Sequence, residues 1–197
     1  MQDRHDKDKS VEGLVAKRLL ESRTILLSGS INDEQAHKIV GQLLLLDAED
    51  GEKPIRLIIN SGGGSISSGF HIFDTIQALQ APVITIGSGL VASMGVTLFL
   101  SVPKERRFAF AHARYMIHQP LIPGTVVAVA SDVEINAREM VKTRDLLNRL
   151  IADATSQPLA KVEKDTLRDY WLSADEAVEY GIVGKAITKL TDLPGVK

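Results

Sequence analysis

The sequence predicts an α/β fold in which mostly parallel strands are connected by crossover helices. Short apolar runs alternate with longer segments of helical apolar spacing, and strand–helix units recur after roughly thirty residues. A chain of 197 residues with 44% hydrophobic and 24% charged side chains has the composition of an ordinary globular protein. This length most simply makes one domain that buries about 70% of its unfolded surface. No internal repeat or convincing linker divides the sequence.

The individual elements are predicted from apolar spacing and from helix-capping residues. Apolar runs bounded by turn-forming residues predict strands, and apolar residues three and four positions apart predict helices. Asn32 is a suitable N-cap for the first helix, whose apolar positions include Leu44. Ser173 and Glu176 have the spacing of a capping box, and Gly181 fits the stop of that helix. In chain order the predicted elements are strand 24–28, helix 33–47, strand 55–60, helix 66–79, strand 82–88, a helix opening near Ser93, strands 107–111 and 115–118, helix 132–155, a short helix from Pro158, helix 174–180 and strand 183–188.

The predicted helix over 132–155 is longer than the core of such a domain requires. Ser131 and Glu134 have the spacing of a capping box at its start. About 24 residues would extend on the order of 36 Å, which suggests a projecting arm that packs against another copy of the chain. A helix that lies along the domain surface is the alternative. The apolar positions concerned are Val133, Met140, Leu147, Leu150 and Ile151.

Charge and composition exclude several classes of function. A net charge of −2 gives no electrostatic case for nucleic acid or for an anionic membrane surface. The absence of cysteine excludes disulfides and thiolate metal sites and fits a reducing, cytoplasmic compartment. Residues 1–10 are charged throughout and lack the apolar core of a signal peptide, so residues 1–12 are expected to be a flexible arm. The most apolar run, 89–102, is too short to span a bilayer and predicts a buried helix.

The stretch GSGLVASMGV, residues 87–96, fits two different kinds of site. Its G-x-G-x-x-A pattern resembles a dinucleotide cradle, which needs an acidic residue at the end of the next strand. No Asp or Glu occurs between Arg106 and Ser131, and no Gly-Lys-Ser/Thr follows either glycine-rich turn. We therefore expect no cofactor and no metal. The alternative is a nucleophile, because Ser93 lies where a strand turns sharply into a helix.

A nucleophilic serine needs a base, an orienting acid and oxyanion donors. Of the five histidines, His112 and His118 stand at strand ends, and His118 projects into the loop that precedes Pro120. Asp165 and Asp169 are both candidate acids, and their spacing does not choose between them. Asp169 precedes the apolar stretch 170–172, whose burial is expected to bury the Asp169 side chain as well. The oxyanion donors would be the main-chain N–H of Met94 and one from the glycine-rich loop at 61–65.

Five motifs follow one another along the chain: NSGGGS at 60–65, ASMG at 92–95, MIHQP at 116–120, DTLRD at 165–169 and LSADEA at 172–177. These motifs, in this order, resemble those of the ClpP family, the proteolytic subunits of the Clp protease. The resemblance spans 15–188 and implies a crotonase/ClpP-type fold of repeated β-β-α units with a projecting handle helix. By motif position it implies that Ser93 is the nucleophile, His118 the general base and Asp169 the orienting acid, with the amides of Gly64 and Met94 as the oxyanion hole.

The same resemblance implies a serine endopeptidase that acts on peptides and unfolded proteins. It implies two stacked seven-membered rings, an AAA+ unfoldase that uses ATP, and no cofactor on this chain. One peptidase domain over 13–190 would include a handle at 122–157 and be followed by a tail at 191–197. A substrate strand would lie between residues 64–66 and the segment after Pro120. The residues implied in substrate binding are Gly63, Ser65, Ile66, Gln119, Pro120 and Leu121.

The chain departs from the family pattern at several positions. Gly62 stands in place of proline, Leu90 in place of glutamine and Leu167 in place of an acidic residue, which predicts a solvated or differently paired Arg168. Residues 121–131 are altered, and the N-terminal arm lacks the usual pattern. One hypothesis is therefore a divergent paralogue that needs a second ClpP subunit for full activity. The competing functions are a weakly active structural or regulatory subunit and a crotonase-fold enzyme that acts on acyl-CoA thioesters.

Overall fold

A mostly parallel sheet with helices packed against it confirms the predicted fold class. The computed structural model of the chain describes residues 11–122, 124 and 127–193. Within them the elements are α1 (Val11–Glu21), β1 (Thr24–Ser28), α2 (Asp33–Glu49), β2 (Ile55–Ser61), α3 (Ile66–Ala78), β3 (Val83–Ala92), α4 (Met94–Phe99), β4 (Arg107–Phe110), β5 (Arg114–Ile117), α5 (Ala130–Thr155), α6 (Leu159–Asp165), β6 (Tyr170–Leu172), α7 (Ala174–Tyr180) and β7 (Lys185–Ile187).

The long strand β3 lies at the centre of the sheet and has two successive partners. The order β1-β2-β3-β4-β7 is parallel throughout, and β4 pairs with residues 85–87 of β3. Residues 90–92 of β3 pair instead with β5, whose other neighbour is the antiparallel strand β6. The change of partner coincides with a register shift against β2 and with Gly89 at φ +60, a conformation that favours glycine. The end of β3 is therefore carried away from β4 and towards β5.

The first strand–helix units form largely where the sequence predicts them. The Asn32 side chain accepts a hydrogen bond from the Gln35 N–H at 2.9 Å, which confirms it as the N-cap of α2. The apolar face of α2 packs on the sheet through Ile39 and Leu43, which are both buried. Leu44 was expected on the same face, but it is exposed. Four consecutive leucines cannot all face the core of one helix, because successive residues are about 100° apart.

The segment at 89–102 differs from its prediction as one buried helix. Residues up to Ala92 continue strand β3, and only Met94–Phe99 forms the helix, which is buried over its whole length. Periodicity does not distinguish a buried strand from a buried helix in a short apolar run. Ser93 lies at the junction between the two elements, which confirms the predicted turn from strand to helix.

The long helix α5 is confirmed, but the predicted capping box at its start is wrong. The helix begins at Ala130, its N-cap is Val129, and Ser131 lies inside the first turn. Glu134 pairs instead with Arg138 one turn further along, at 2.5 Å. The last part of α5 packs on the domain through buried Asn148 and its neighbours, whereas the first part exposes Val133. A helix that lies along the domain surface is therefore confirmed for the last part of α5, whereas contact of the exposed first part with another copy of the chain stays a prediction.

A buried arginine attaches the end of α5 to the sheet. Arg107 donates hydrogen bonds to the carbonyls of Val102 at 2.7 Å, Ala154 at 2.8 Å and Gly181 at 3.4 Å. Burial lowers its pKa to about 10. Three carbonyl acceptors, one of them in the last turn of α5, compensate part of the cost of burying this cation.

Two elements were missed, and the chain ends were tested only in part. Helix α1 covers Val11–Glu21, so the predicted arm at 1–12 overlaps its first two residues. The rest of that arm, residues 1–10, and residues 194–197 of the predicted tail lie outside the described residues. Strand β6 is three residues long and exists through its pairing with β5. Such a short strand has too few residues for periodicity to predict it. No helix in the described part of the chain is long and apolar enough to cross a membrane.

Two buried tyrosines give a prediction about stability. The Tyr115 ring is fully buried against Phe99, and its hydroxyl has no hydrogen-bond partner within the described residues. The Tyr180 hydroxyl donates to Asp165 at 2.9 Å. Tyr115→Phe is expected to leave the free energy of unfolding unchanged or raise it by up to about 1 kcal/mol, whereas Tyr180→Phe lowers it by about 1–2 kcal/mol. Urea unfolding of both variants measures this difference, and a larger loss for Tyr115→Phe would contradict it.

Candidate active site

Ser93 occupies a strained turn between β3 and α4. Its backbone has φ 55 and ψ −126, a region that a residue with a side chain rarely adopts. The Ser93 N–H donates to the Met116 carbonyl at 2.8 Å, and the Ser93 carbonyl accepts from the Val96 N–H at 2.9 Å. These bonds attach the turn to the end of β5 on one side and to the helix on the other. Strain of this kind concentrates at functional sites.

His118 and Asp169 complete a hydrogen-bonded series that begins at Ser93. The Ser93 Oγ lies 2.8 Å from the His118 Nε2, and the His118 Nδ1 lies 3.2 Å from the Asp169 Oδ1. Strands β5 and β6 explain this meeting, because His118 follows the end of β5 and Asp169 precedes β6, with Ile117 paired to Tyr170. The Asp169 side chain is 60% exposed. The expectation that it would be buried is therefore wrong, since the apolar residues after it turn into strand β6.

The second candidate acid, Asp165, is engaged elsewhere. Its Oδ2 accepts hydrogen bonds from the Lys161 Nζ at 2.6 Å and from the Tyr180 hydroxyl at 2.9 Å. The Lys161 ammonium also lies 4.2 Å from the centre of the Tyr180 ring. Burial first, and then the hydrogen bond to Asp165, raise the pKa of Tyr180 above its usual value. Asp165 thus stabilises the packing of α6 against α7, and His118 is not among its contacts.

The glycine-rich loop approaches Ser93 closely and is held in place by Ile31. The Ile31 N–H donates to the Gly63 carbonyl at 2.9 Å, and the Ser65 N–H donates to the Ile31 carbonyl at 2.8 Å. Gly63 has φ +96, and a Cβ on it would lie 2.7 Å from the Ser93 Cβ and 3.0 Å from the Met94 N. Within the described residues, the N–H groups of Gly64 and Met94 have no acceptor. Both amides are therefore available to a ligand of this loop.

This close approach predicts different effects at two neighbouring glycines. Gly63→Ala is expected to lower catalytic turnover by about 10²-fold, because the added methyl group displaces the loop or the Ser93 turn. Gly62→Ala is the matched control, since a Cβ there would meet only the Leu90 Cδ2 at 3.9 Å. Peptide hydrolysis by the two variants, at equal folded concentration, measures the effect. Equal activity of the two variants would contradict the prediction.

A small apolar pocket opens directly beside Ser93 and His118. Its volume is about 30 Å³. The remaining residues that line it are Ile66, Met94, Thr97, Ile117, Pro120, Leu147 and Ile151. A larger cavity of about 550 Å³ lies at the opposite end of β3, near Gln77 and Arg106, and has no part in the arrangement around Ser93.

The structure places the six residues implied in substrate binding in different surroundings. Ile66 and Pro120 line the pocket, and Gly63 contacts the Ser93 turn. The Ser65 hydroxyl accepts from the Ser68 N–H at 3.3 Å as the N-cap of α3. The Gln119 side chain is bonded to another loop, and Leu121 is exposed. Their contacts with a substrate remain predictions.

Sequence reasoning missed part of the pocket wall. Leu147 and Ile151 were expected to contact another copy of the chain, and Thr97 was not among the predicted site residues. In the structure they line the pocket beside Ser93. Leu147 and Ile151 are four residues apart on one helix face, but only the position of α5 against the domain shows what that face contacts.

The departures from the family pattern lie at accessible positions. Leu167 and Arg168 are both exposed, which fits the expectation of a solvated arginine. Arg168 forms no ion pair within the described residues. Gly62 lies beside Leu90, so two of the departures are neighbours. No cluster of three or more His, Asp or Glu side chains that could hold a metal occurs among the residues that the structure describes.

Fold and site together define the class as an α/β protein with a Ser–His–Asp hydrogen-bonded series at the end of a parallel strand. A model of the Clp protease family matches residues 7–190. The chain therefore belongs to the Clp protease family, a family of peptidases.

Curated relatives extend over most of the chain. It is 46% identical over 193 residues to the ATP-dependent Clp protease proteolytic subunit 2 of Treponema pallidum (strain Nichols), with 98% of this chain and 96% of the relative covered. It is 48% identical over 175 residues to the proteolytic subunit 3 of Synechococcus sp. (strain CC9902), with 89% and 87% covered. Subunit 3 of Rhizobium johnstonii is 44% identical over 197 residues, with 98% and 100% covered.

Proposed function

We propose that the chain is a serine endopeptidase subunit of a compartmentalised, ATP-dependent protease, with Ser93, His118 and Asp169 as its catalytic residues. The observation that carries this proposal is the distance of 2.8 Å between the Ser93 Oγ and the His118 Nε2. The carboxylate on the far side of the imidazole supports it. Membership of the Clp protease family and the names of the relatives support the assignment to ATP-dependent proteolysis.

In the proposed mechanism Ser93 attacks the carbonyl carbon of the scissile peptide bond. His118 accepts the Ser93 proton at Nε2 and returns it to the leaving amine, while Asp169 accepts a hydrogen bond from Nδ1–H and holds that tautomer. The N–H groups of Gly64 and Met94 stabilise the oxyanion that forms at the carbonyl oxygen. A water molecule, activated by His118, then hydrolyses the acyl-enzyme and restores the serine.

The proposed substrate is an extended peptide that lies along residues 64–66 and the segment after Pro120. Main-chain hydrogen bonds at a strand edge accept many sequences, which suits a protease of unfolded proteins. An apolar side chain next to the scissile bond would enter the pocket lined by Ile66, Thr97 and Leu147.

Assembly and partners form the second part of the proposal. We expect self-association into seven-membered rings, as the family implies, and a measurement of native mass tests the ring size. We also expect an AAA+ unfoldase that uses ATP to act with this chain in the cytoplasm. Exposed apolar side chains support self-association, because monomeric proteins rarely expose large apolar patches to solvent. They include Leu44 and Leu45 on α2 and Val133, Ile135, Val141 and Leu146 on α5. A second paralogue in the ring remains part of the proposal, and this chain is expected to need no cofactor.

The experiment that tests the function combines three measurements on the purified full chain. Native mass gives the assembly, a fluorogenic peptide gives the hydrolytic rate, and a fluorophosphonate probe followed by peptide mapping gives the labelled residue. We expect labelling at Ser93 and hydrolysis that rises when a Clp unfoldase is added with a protein substrate. An assembled protein that neither labels nor cleaves, even with a second subunit present, would indicate the weakly active structural subunit instead.

A further inference from the structure

Gln119 connects the histidine loop to the segment that leads to Asp169. Its main-chain N–H donates to the Thr166 carbonyl at 2.6 Å. Its side-chain Nε2 donates to the Leu167 carbonyl at 3.0 Å. The residue directly after His118 is thus bonded to the second and third residues before Asp169.

The Asp169 side chain has little else to hold it. It is 60% exposed, and within the described residues His118 is its one polar contact. Its position therefore depends on the main chain on either side. On the C-terminal side, Tyr170 pairs with Ile117 in the β5–β6 ladder. On the N-terminal side, the nearest hydrogen-bonded main-chain group is the Leu167 carbonyl, which accepts from the Gln119 side chain.

The segment before Leu167 is anchored independently of Gln119. The Thr166 hydroxyl lies 2.9 Å from both the Val162 carbonyl and the Asn148 Oδ1, and the Thr166 N–H donates to Val162 at 2.9 Å. Thr166 is consequently a rigid point on the domain. Beyond it, the one bond of the Leu167 N–H to a described residue is a long one, of 3.4 Å, to the Lys164 carbonyl. The side-chain bond from Gln119 is therefore the contact that controls the next two residues.

We propose that Gln119 is a positioning residue, which keeps Asp169 against His118 through its side-chain bond to Leu167 and does not bind the substrate. This inference rests on the proposed function, because it requires the Ser93–His118–Asp169 series to perform the catalysis. Without the bond, the segment 167–169 gains freedom and the carboxylate spends less time at Nδ1. The imidazole is then less often in the tautomer that accepts the serine proton.

A double-mutant cycle in the full chain tests this role. Gln119→Ala, Asp169→Asn and the double variant are compared by kcat, KM and the rate of fluorophosphonate labelling. Gln119→Ala is expected to lower kcat and the labelling rate by about 10-fold, within the loss of up to about 10²-fold that small misplacements cause, with KM unchanged. In the Asp169→Asn background the same change should have no further effect, because no carboxylate remains to be positioned.

Gln157→Ala is the matched control for loss of a glutamine side chain. The Gln157 Nε2 donates to the Tyr180 carbonyl at 3.0 Å, the same kind of bond at the same length as that of Gln119. Its removal is expected to lower the melting temperature about as much as Gln119→Ala does. Its kcat should stay at the wild-type value, so general destabilisation is separated from positioning.

Four results would overturn the proposal. A higher KM with an unchanged labelling rate would make Gln119 a substrate contact. An equal loss of kcat with and without the Asp169 carboxylate would show that Gln119 acts independently of Asp169. An unchanged kcat, or the same loss in Gln157→Ala, would remove the positioning role. Failure of the proposed function is distinguishable, since Asp169→Asn alone would then leave hydrolysis and labelling unchanged.

Discussion

Ser93→Ala is expected to reduce peptide hydrolysis by at least about 10⁴-fold and to abolish covalent labelling by a fluorophosphonate. The hydroxyl is the attacking group, and the remaining imidazole and amides retain only the catalysis that binding and oxyanion stabilisation provide. Among the residues that the structure describes, the Ser93 Oγ makes its one hydrogen bond to His118, at 2.8 Å. Stability should therefore change little, because alanine keeps the Cβ and with it the backbone strain of this turn. Initial rates and intact-mass labelling of the assembled protein measure both effects.

Ser101→Ala is the matched control for the first prediction. Ser101 is buried, and its hydroxyl has no hydrogen-bond partner within the described residues, whereas its carbonyl accepts from Gln77 at 2.7 Å. Loss of the hydroxyl should leave hydrolysis, labelling and the free energy of unfolding close to wild type. Labelling that persists in Ser93→Ala and disappears in Ser101→Ala would contradict the assignment of the nucleophile.

Asp169→Asn and Asp165→Asn are expected to separate catalysis from stability. Asp169→Asn should lower kcat by about 10³–10⁴-fold, because an amide does not hold the required tautomer of His118. The exposure of Asp169 places the effect towards the lower end of this range, since water screens its charge. The fold should be unaffected, because the carboxylate has no other polar contact within the described residues.

Asp165→Asn is expected to show the opposite pattern. Its Oδ2 accepts from both Lys161 and Tyr180, and loss of the negative charge should lower the free energy of unfolding by about 1–2 kcal/mol. Turnover per folded molecule should remain within about twofold of wild type, because none of the contacts of Asp165 involves His118. Urea unfolding and steady-state rates measure the two effects. A large catalytic loss in Asp165→Asn with normal stability would overturn the choice between the two carboxylates.

The comparison of these two aspartates also shows the limit of sequence reasoning. Asp165 and Asp169 are four residues apart near the end of one short helix, and local spacing treats them alike. Resemblance to a family selected Asp169, whereas the residues themselves left both open. The distinction arises because the helix ends at Asp165 and the chain then turns, so that Asp169 reaches β6 beside the end of β5.

Elements with strong local signals were predicted with accurate boundaries. Helix α7 begins with the predicted capping box of Ser173 and Glu176 and ends at Gly181 with φ 94. The capping box at Ser131 was wrong because the helix begins at Ala130, so that Ser131 lies inside its first turn and Glu134 pairs with Arg138. The same sequence pattern thus succeeds or fails with the residue at which the helix begins, which the pattern alone does not determine.

The sequence by itself determined the α/β alternation, the strand-to-helix turn that presents Ser93, and the glycine-rich loop. These features depend on local backbone preferences, which act between residues close in the chain. Only the tertiary structure decided that β3 changes partner from β4 to β5, that Leu147 and Ile151 form the wall of a pocket, and that Gln119 holds the loop of Asp169. Such contacts join residues that are distant in sequence, and their geometry follows from packing of the whole domain.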